Sequence, residues 1–325
     1  MQNWQPSCDR ALLVQRAKLL ATIRAFFNER QVLEVETPLL GITTGTDPQL
    51  DFFSTQFQSG AESQTLYLQT SPEFAMKRLL ASGCGSIYQI CKAFRNGEFG
   101  RLHNPEFTIL EWYRVDFDLP MLMQDVVALM TCLFESFERT LMVESYSYRE
   151  IFAHFTGLDA LNFDIDRYQN YAIAQTLPDA ARLCGLQHSL WLDFIFTHKV
   201  QPFLGKGGLT MVHGYPACQA ALAKINQHDR LVAERVELFM QGIELGNGFF
   251  ELTDAAEQEQ RFEQEQALRI QSNLPFVVKD EKFLAALRSG LPSCAGIAIG
   301  LDRLLMVLNS DSHIEQVLAF PFARI

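Results

Sequence analysis

The apolar residues near the start of the chain recur at helical spacing. They predict an amphipathic helix over residues 9–30, through Leu12, Leu13, Leu19, Leu20, Ile23, Phe26 and Phe27. The next segment, VLEVETPLL (32–40), alternates apolar and acidic residues up to Pro38, which predicts a strand ended by proline. Residues 71–81 have a helical pattern again. The chain therefore opens with alternating helical and extended segments.

Two hairpins are predicted further along. The first has strands at IYQICKAFR (87–95) and EFTILEWYR (106–114), joined by the loop NGEFGRLHNP. The second covers RVELFMQGIELGNGFFEL (235–252) and turns near Gln241–Gly242. Both predict antiparallel pairing, because the two strands of a hairpin run in opposite directions.

Helical signals lie between and after the hairpins. Pro120 suits a first helical turn and opens a helix to about Phe134, and residues 147–205 have mixed helical signals typical of an insertion. Asp254 with Glu257 resembles a capping box for a polar helix to about Ile270. The tail AGIAIG (295–300) is a strand running into the helix LDRLLMVL. The pattern predicts one α+β domain over 1–325, with a mostly antiparallel sheet flanked by helices.

Composition excludes several classes of protein. The 325 residues are 48% apolar and 20% charged, so the chain can bury a full core, and the net charge of −11 disfavours broad gripping of a phosphate backbone. No apolar run approaches the roughly 20 residues that cross a bilayer, and the N-terminus lacks a signal-peptide pattern. Seven scattered cysteines without a CxxC pair are typical of reduced thiols. We predict a cytoplasmic protein without membrane contact.

The first hairpin carries residue types that suit a nucleotide and an amine. Arg95 ends its first strand, and the loop and returning strand add His103, Asn104, Phe107, Glu111 and Tyr113. The last three share parity, so their side chains lie on one face. A surface hairpin with a solvated arginine explains the same alternation, which is common in antiparallel sheets.

The second hairpin is acidic. Glu237 and Glu244 lie on one face if the turn falls between them, and two converging carboxylates suit a magnesium ion that also holds substrate phosphates. Gly246-Asn247-Gly248 can change the face that the strand presents, so that Glu251 also faces inward. The alternative is a solvated sheet face, where unpaired acids are usually found.

Arg303 lies in the first turn of the last predicted helix, within Gly300-Leu301-Asp302-Arg303. A cation there opposes the helix dipole. The arrangement makes sense if the guanidinium faces a phosphate or an adenine ring. A structural salt bridge is an equally good explanation.

The order of these segments is more specific than any one of them. VLEVETP, then FRN with RLHNPEF, then GIELGNGF and GIAIGLDR resemble motifs 1, 2 and 3 of class II aminoacyl-tRNA synthetases, in the lysine branch. The resemblance covers residues 10–325, with only one helix before motif 1 and no anticodon-binding OB domain. The chain is therefore most similar to the elongation factor P–(R)-β-lysine ligases, free-standing paralogues that attach β-lysine to a lysine side chain of elongation factor P.

The resemblance implies that ATP and magnesium are used to form an aminoacyl-adenylate. A carboxylate attacks the α-phosphorus, so preorganised cations are needed. Arg95 would contact the α-phosphate and Arg303 would stack on adenine or reach the γ-phosphate, as the two catalytic residues. Glu237 and Glu244 would hold Mg²⁺. The remaining ATP-binding residues would be Asn96, Gly97, His103, Asn104, Phe107, Leu245, Asn247 and Gly300, together with Glu244.

The resemblance also implies an amino-acid pocket. Its residues would be Ser71, Pro72, Glu73, Glu111, Tyr113, Glu251 and Ala298. Glu111 and Glu251 would hold the side-chain ammonium, because a buried cation requires carboxylate partners, and Tyr113 would add a hydroxyl. Ser71 and Glu73 would bind the second amino group.

Three positions depart from the pattern of lysyl-tRNA synthetases. Ser71 and Ala298 replace the usual alanine and glycine, and we predict that they reshape the pocket floor for β-lysine. Motif 2 usually reads F-R-N-E, whereas Gly97 occupies the glutamate position here and Glu98 follows it. Either Glu98 substitutes through a local shift, or the backbone at Asn96–Gly97 recognises the adenine.

The resemblance implies partners as well. Motif 1 forms the dimer interface in this superfamily, which predicts a homodimer, and elongation factor P would be the acceptor, with no anticodon-type tRNA binding. One alternative is a truncated synthetase that aminoacylates tRNA or a small amine. Another is a catalytically inactive regulatory or tRNA-binding paralogue, which the presence of Arg95, Arg303, Glu237 and Glu244 disfavours.

Overall fold

A computed structural model describes residues 4–325. The helices are α1 (Arg10–Glu29), α2 (Glu73–Ala81), α3 (Leu119–Ser136), α4 (Tyr148–Thr156), α5 (Ile165–Ala174), α6 (Ala180–Cys184), α7 (His188–Lys199), α8 (Ala255–Gln271), α9 (Glu281–Gly290) and α10 (Leu301–Asn309). The strands are β1 (Leu33–Glu34), β2 (Leu40–Gly41), β3 (Ser54–Ser59), β4 (Glu62–Leu68), β5 (Ile87–Phe94), β6 (Glu106–Val115), β7 (Val143–Ser147), β8 (Leu209–Pro216), β9 (Val232–Met240), β10 (Ile243–Phe250) and β11 (Cys294–Gly300).

The described residues form two compact units. The first contains residues 4–117 and Thr253–Ile325, and the second contains Asp118–Leu252. The insertion predicted at 147–205 holds α4 to α7 and belongs to the second unit. The description of 1–325 as one domain stays a prediction.

The first unit has two sheets. Four strands lie in the order β1-β5-β6-β11, in which β1 runs parallel to β5 and the other pairs are antiparallel. A smaller antiparallel sheet has the order β2-β4-β3. The mostly antiparallel α+β architecture is confirmed.

Helix α1 supplies much of the apolar packing against the larger sheet of this unit. The side chain of Asp9 accepts the backbone N–H of Leu12 and so caps the helix. The ring of Phe27 is fully buried, stacks on Tyr88 at 4.4 Å between ring centroids, and lies 5.5 Å from Trp112. Burying each such side chain stabilises the fold by about 1.5–3 kcal/mol. The helical periodicity of the first thirty residues therefore corresponds to a buried face at Leu19, Ile23, Phe26 and Phe27, whereas Leu13 is 43% exposed.

One strand prediction was wrong. VLEVETPLL is not a single strand ended at Pro38, because β1 stops at Glu34 and Leu40–Gly41 pairs with β4 in the other sheet. The register with β5 covers Leu33 and Glu34, and one further backbone hydrogen bond runs from Val35 N–H to the carbonyl of Tyr88. The alternation of the sequence continues beyond the end of this strand pairing, so alternation alone does not fix the length of a strand.

The second unit has strands in the order β10-β9-β8-β7, antiparallel except for β7 with β8. The β9–β10 hairpin turns at Gln241–Gly242, as predicted, and both residues have positive φ (55° and 76°). Two positive φ values match a type I′ turn, whose twist suits the flanking strands.

Helix α3 packs against β9, and its apolar face, including Leu122, Val126 and Leu129, is fully buried. By length and composition it is the one helix among residues 4–325 that is apolar enough to cross a membrane, but the core helices of globular proteins can be equally long and apolar. Its buried face identifies it as a core helix of the unit. Helices α4 to α7 share a separate, aromatic-rich core with β8 and β9, built around Tyr148, Phe152, Trp191 and Phe239.

Candidate functional site

In the first unit, several residues of the predicted amino-acid pocket lie side by side on adjacent strands. Glu111 on β6 pairs directly with Ala298 on β11, and Tyr113 pairs with Gly296. The register has no irregularity, so Phe107, Glu111 and Tyr113 share a face as the parity predicted. Directly opposed residues have Cβ atoms about 4.5–5.5 Å apart, so the methyl group of Ala298 is a neighbour of the Glu111 carboxylate.

Glu111 is buried and accepts two hydrogen bonds. Tyr113 Oη donates to Oε1 at 2.7 Å and Ser71 Oγ donates to Oε2 at 2.8 Å. Ser71 Oγ in turn accepts the backbone N–H of Glu73 at 3.0 Å, just after Pro72. The pKa of Glu111 is raised to about 7: burial raises it most and nearby Glu73 adds to the rise, while the hydroxyl donors Tyr113 and Ser71 lower it. A cation beside this carboxylate would stabilise its ionised form.

Glu73 begins helix α2 and pairs with a lysine that the sequence analysis did not single out. Lys77 Nζ lies 2.5 Å from Glu73 Oε1, and the lysine side chain is 1% exposed. The spacing of four residues puts the two on one helix face. That spacing was the signal available in the sequence, but such pairs are usually solvated.

The motif 2 residues form a second group in the first unit. The Arg95 guanidinium lies 5.1 Å from the ring centroid of Phe107. Gly97 has φ of +76°, and the chain turns so that Glu98 Oε1 lies 3.5 Å from Arg95 Nη1. Glu98 Oε2 is also 3.9 Å from His103 Nε2. Glu98, which follows the usual glutamate position by one residue, therefore contacts Arg95. Recognition of adenine by Glu98 stays a prediction.

The two charged residues of the GLDR segment have different contacts: Asp302 makes structural contacts, and Arg303 contacts the motif 2 loop. Asp302 is buried, pairs with Arg16 at 2.5 Å and accepts the backbone N–H of Thr108. Arg303 donates from Nε to the carbonyl of Leu102 at 3.1 Å, and its Nη2 lies 2.7 Å from His103 Nε2. The structural salt bridge exists, but Asp302 makes it, and the Arg303 guanidinium joins the motif 2 loop. Gly300 is the N-cap residue of this helix.

Two of the predicted ATP-binding residues, Asn96 and Asn104, bind other protein groups with their side-chain amides. Asn96 Nδ2 donates to Asp51 at 2.8 Å. Asn104 Nδ2 donates to the carbonyl of Glu106 at 2.6 Å, and its Oδ1 accepts the N–H of Phe322 at 2.9 Å. Both side chains hold the loop in place, and direct contact with ATP stays a prediction.

The second unit places Glu237 and Glu244 on one face of the β9–β10 hairpin. Glu244 pairs with Phe239, and the register shifts between Glu244 and Gly246, so that Asn247 pairs with Glu237. A bulge at Leu245 explains the shift, because an extra residue reverses the alternation. Asn247 therefore lies on the face of Glu237, and Glu251 follows by the same alternation. The predicted change of face occurs one residue before the Gly-Asn-Gly sequence.

Both oxygens of Glu237 are held. Arg235 Nη2 donates to Oε1 and Tyr215 Oη donates to Oε2, each at 2.5 Å, and Arg235 Nε also donates to Asn247 Oδ1 at 3.1 Å. The pKa of Glu237 is raised to about 7, mainly by burial; Arg235 opposes the rise and Glu244 adds to it. Arg235 and Tyr215 were missed from the sequence, although Arg235 shares the parity of Glu237. Asp193 of the insertion, another electrostatic neighbour, had no signal at all.

The donor set fits a magnesium ion bound together with phosphates. Among residues 4–325, no cluster of three or more His, Cys, Asp or Glu side chains could hold a metal ion by itself. Mg²⁺ commonly uses one or two carboxylates and completes its shell with water and phosphate oxygens. Glu237 and Glu244 are such a pair, and their mutual repulsion is what a divalent cation would relieve.

Known proteins resemble this chain along its whole length. Residues 5–324 match the family of class II tRNA synthetases (D, K and N). The elongation factor P–(R)-β-lysine ligase of Haemophilus ducreyi is 44% identical over 99% of this chain and 97% of its own length. Those of Pectobacterium carotovorum subsp. carotovorum and Proteus mirabilis are each 45% identical over 99% of this chain and 98% of their own. The chain therefore belongs to the class II tRNA synthetases (D, K and N), and within them to the elongation factor P–(R)-β-lysine ligases.

Proposed function

We propose that the chain is an ATP-dependent ligase that activates (R)-β-lysine as an aminoacyl-adenylate and transfers it to a lysine side chain of elongation factor P. The observation that carries the proposal is the buried carboxylate of Glu111, which is held by Ser71 and Tyr113 and faces Ala298 across the strand pair. Relatives named for this reaction are 43–45% identical over nearly the whole chain.

The Glu111 group suits a side-chain ammonium. An ammonium that leaves water needs a carboxylate and fixed acceptors, and Glu111 is already oriented by two hydroxyl donors. Its raised pKa means that the free carboxylate is unfavourable without a cation. Ammonium binding would stabilise the ionised form, so the pocket favours a cationic substrate. Glu251, 1% exposed, is the proposed second carboxylate.

Ser71 and Ala298 support the choice of β-lysine. Ser71 contacts both Glu111 and the N–H of Glu73, so it links the proposed positions of the two amino groups. Ala298 adds a methyl group directly opposite Glu111. Ala298→Gly should shift the preference toward α-lysine, because removal of the methyl group reshapes the pocket floor opposite Glu111. Unchanged activation kinetics for the two isomers would refute this hypothesis.

The arginines suit the adenylation step. The substrate carboxylate attacks the α-phosphorus and the bond to pyrophosphate breaks, so negative charge gathers on oxygens that start out anionic. Arg95 would bind the α-phosphate, and Arg303 would bind the adenine or the γ-phosphate. Both guanidiniums are already fixed, by Phe107 and Glu98 in one case and by Leu102 in the other. Preorganised cations of this kind typically contribute about 10²–10³-fold in rate.

Glu237 and Glu244 would hold Mg²⁺ against the phosphates. When bound, the ion would neutralise phosphate charge. Arg235 and Tyr215 fix the orientation of Glu237, and Arg235 also fixes Asn247 on the same face. These residues prepare the carboxylates for the ion.

A homodimer fits the surface of the motif 1 region. Leu33, Leu39, Leu40 and Ile42 are 38–55% exposed within ten residues. A concentration of exposed apolar side chains usually marks a protein interface.

All seven cysteines are free thiols, which fits the reducing cytoplasm where translation factors act.

The decisive experiment offers two acceptors together. Purified enzyme, ATP and Mg²⁺ are incubated with α-lysine or (R)-β-lysine, elongation factor P and bulk tRNA, and label is followed by intact mass and by acid-stable counts. A gain of one lysyl mass on elongation factor P, faster with β-lysine, is expected. Label on tRNA alone would indicate a truncated synthetase. Pyrophosphate release without label would indicate another acceptor, and no pyrophosphate release would indicate an inactive paralogue.

A further inference from the structure

Lys77 is a buried cation that the proposed reaction does not itself use. It lies one turn after Glu73 in α2, with Nζ 2.5 Å from Oε1 of Glu73, and only 1% of the residue is exposed. Its ammonium is also within 6 Å of the rings of Tyr113 and Phe283, at 5.9 and 5.8 Å from their centroids. Lys77 therefore lies beside the residues of the proposed amino-acid pocket.

An ordinary helix-stabilising ion pair does not account for this burial. Solvated pairs four residues apart contribute about 0.3–0.5 kcal/mol. A fully buried pair has a desolvation cost that often makes an apolar pair of similar volume equally stable. Lys279 shows the ordinary case, because it bonds Glu259 and Glu263 with 19% of its side chain exposed. The burial of Lys77 is better explained by its effect on the neighbouring carboxylates.

Lys77 acts on two carboxylates at once. It binds Glu73 directly, and its charge also favours the ionised form of Glu111. Glu73 itself disfavours ionisation of Glu111. A cation beside Glu73 therefore reduces the repulsion between the two acids and fixes the direction of the Glu73 side chain, which remains 18% exposed.

We infer that Lys77 is a positioning residue that gives the amino-acid pocket its selectivity for substrates with a second amino group, by holding Glu73 in place and offsetting its charge. This inference rests on the proposed function, in which Glu73 binds that second amino group. A ligand that lacks the group gains nothing from an oriented Glu73. The effect of Lys77 on binding must then depend on the ligand.

The test compares two ligands by calorimetry. (R)-β-lysine carries both amino groups, and 6-aminohexanoate has the same chain length with only the terminal one. In Lys77→Met, the Kd of (R)-β-lysine should rise at least about tenfold, as for the loss of one charge-assisted hydrogen bond. Both titrations are made at pH 8, above the pKa of Glu111, and there the Kd of 6-aminohexanoate should change by less than about threefold. Lys279→Met, the matched control, should change neither.

Two further measurements separate positioning from a structural role. The pH midpoint for (R)-β-lysine binding should move upward in Lys77→Met, because the cation that favours ionised Glu111 is gone. Lys77→Arg keeps the charge and should recover part of the preference, and it replaces Lys77→Met if that variant does not fold. Equal weakening of both ligands, or a folded Lys77→Arg with no preference, would overturn the inference. If the wild-type protein binds neither ligand, the proposed function has failed and not merely the role of Lys77.

Discussion

In the role proposed for it, Glu111 should make binding of the amino acid dependent on pH. Its pKa in the folded protein is about 7, above the ordinary 4.5, so it holds a proton between these values that the unfolded chain has lost. Its protonated form contributes stability that is lost as pH rises through 7. The ammonium needs the ionised form, so lysine binding should strengthen up to about tenfold per pH unit below 7 and level off above it. Calorimetry from pH 5.5 to 8 measures this.

Glu111→Gln provides the control for that titration. The amide is similar in shape but cannot ionise, so binding should be weak at every pH and its dependence on pH should flatten. If the slope persists in Glu111→Gln, another group controls the titration.

Arg95 is the side chain whose loss should most affect the adenylation rate. Arg95→Ala should lower kcat for lysine-dependent pyrophosphate exchange by about 10²–10³-fold, because the cation acts mainly on charge that develops in the transition state. Lysine affinity should change little. Arg78→Ala, on the exposed face of α2, is the matched control and should keep full activity. A fall in lysine affinity without a fall in kcat would show that Arg95 does not act on the adenylation step.

The β9–β10 hairpin, which carries Glu237 and Glu244, depends on a glycine outside its own turn. Gly205 has φ of +66°, and a Cβ there would lie 2.4 Å from Cα of Met240, too close for any side chain. Gly205→Ala should therefore destabilise the protein by more than about 2 kcal/mol in denaturant unfolding. At Gly207 a Cβ meets nothing within 4 Å. Gly207→Ala should stay within about 0.5 kcal/mol of the wild type, and an equal loss in both variants would contradict the steric argument.

Elements with strong periodicity or turn chemistry could be predicted from the sequence. Helix α1, the two hairpins and the turn at Gln241–Gly242 follow from local rules that involve few distant residues. The length of the motif 1 strand could not be predicted, because it depends on where the chain leaves β5, which itself continues to Phe94. The same limit applies to the bulge at Leu245, where the glycines indicated a change of face but not its position.

The charged groups of the site were only partly predictable for a related reason. Motif order predicted Arg95, Glu111 and Glu237, and also Ser71 and Tyr113, which hold Glu111, but not Arg235 and Tyr215, which hold Glu237. Lys77 and Arg235 are ordinary polar residues in sequence, and only burial distinguishes them from solvated ones. Burial depends on which elements pack around a side chain, so it is a property of the whole fold.

The exposed apolar side chains of the motif 1 region suggest how two copies of the chain would assemble. The exposed leucines and isoleucine of the motif 1 region lie in or next to β1 and β2, which are each only two residues long. Short strands with apolar flanks bury little area by themselves, and a standard interface buries about 800 Å² on each partner. Burial against a second copy would remove these side chains from water, at about 25 cal/mol per Å² of apolar surface.

Leu40→Glu combined with Ile42→Glu should therefore yield a monomer. Light scattering during gel filtration should give 36.9 kDa for the variant and about twice that for the wild type. Ile173→Glu, at a residue 78% exposed in the second unit, is the matched control and should leave the mass unchanged. Since charges buried in an interface without partners are strongly unfavourable, a double variant that remains dimeric would show that motif 1 is not the interface. A wild type that is monomeric at micromolar concentration would show that the exposed leucines have another purpose.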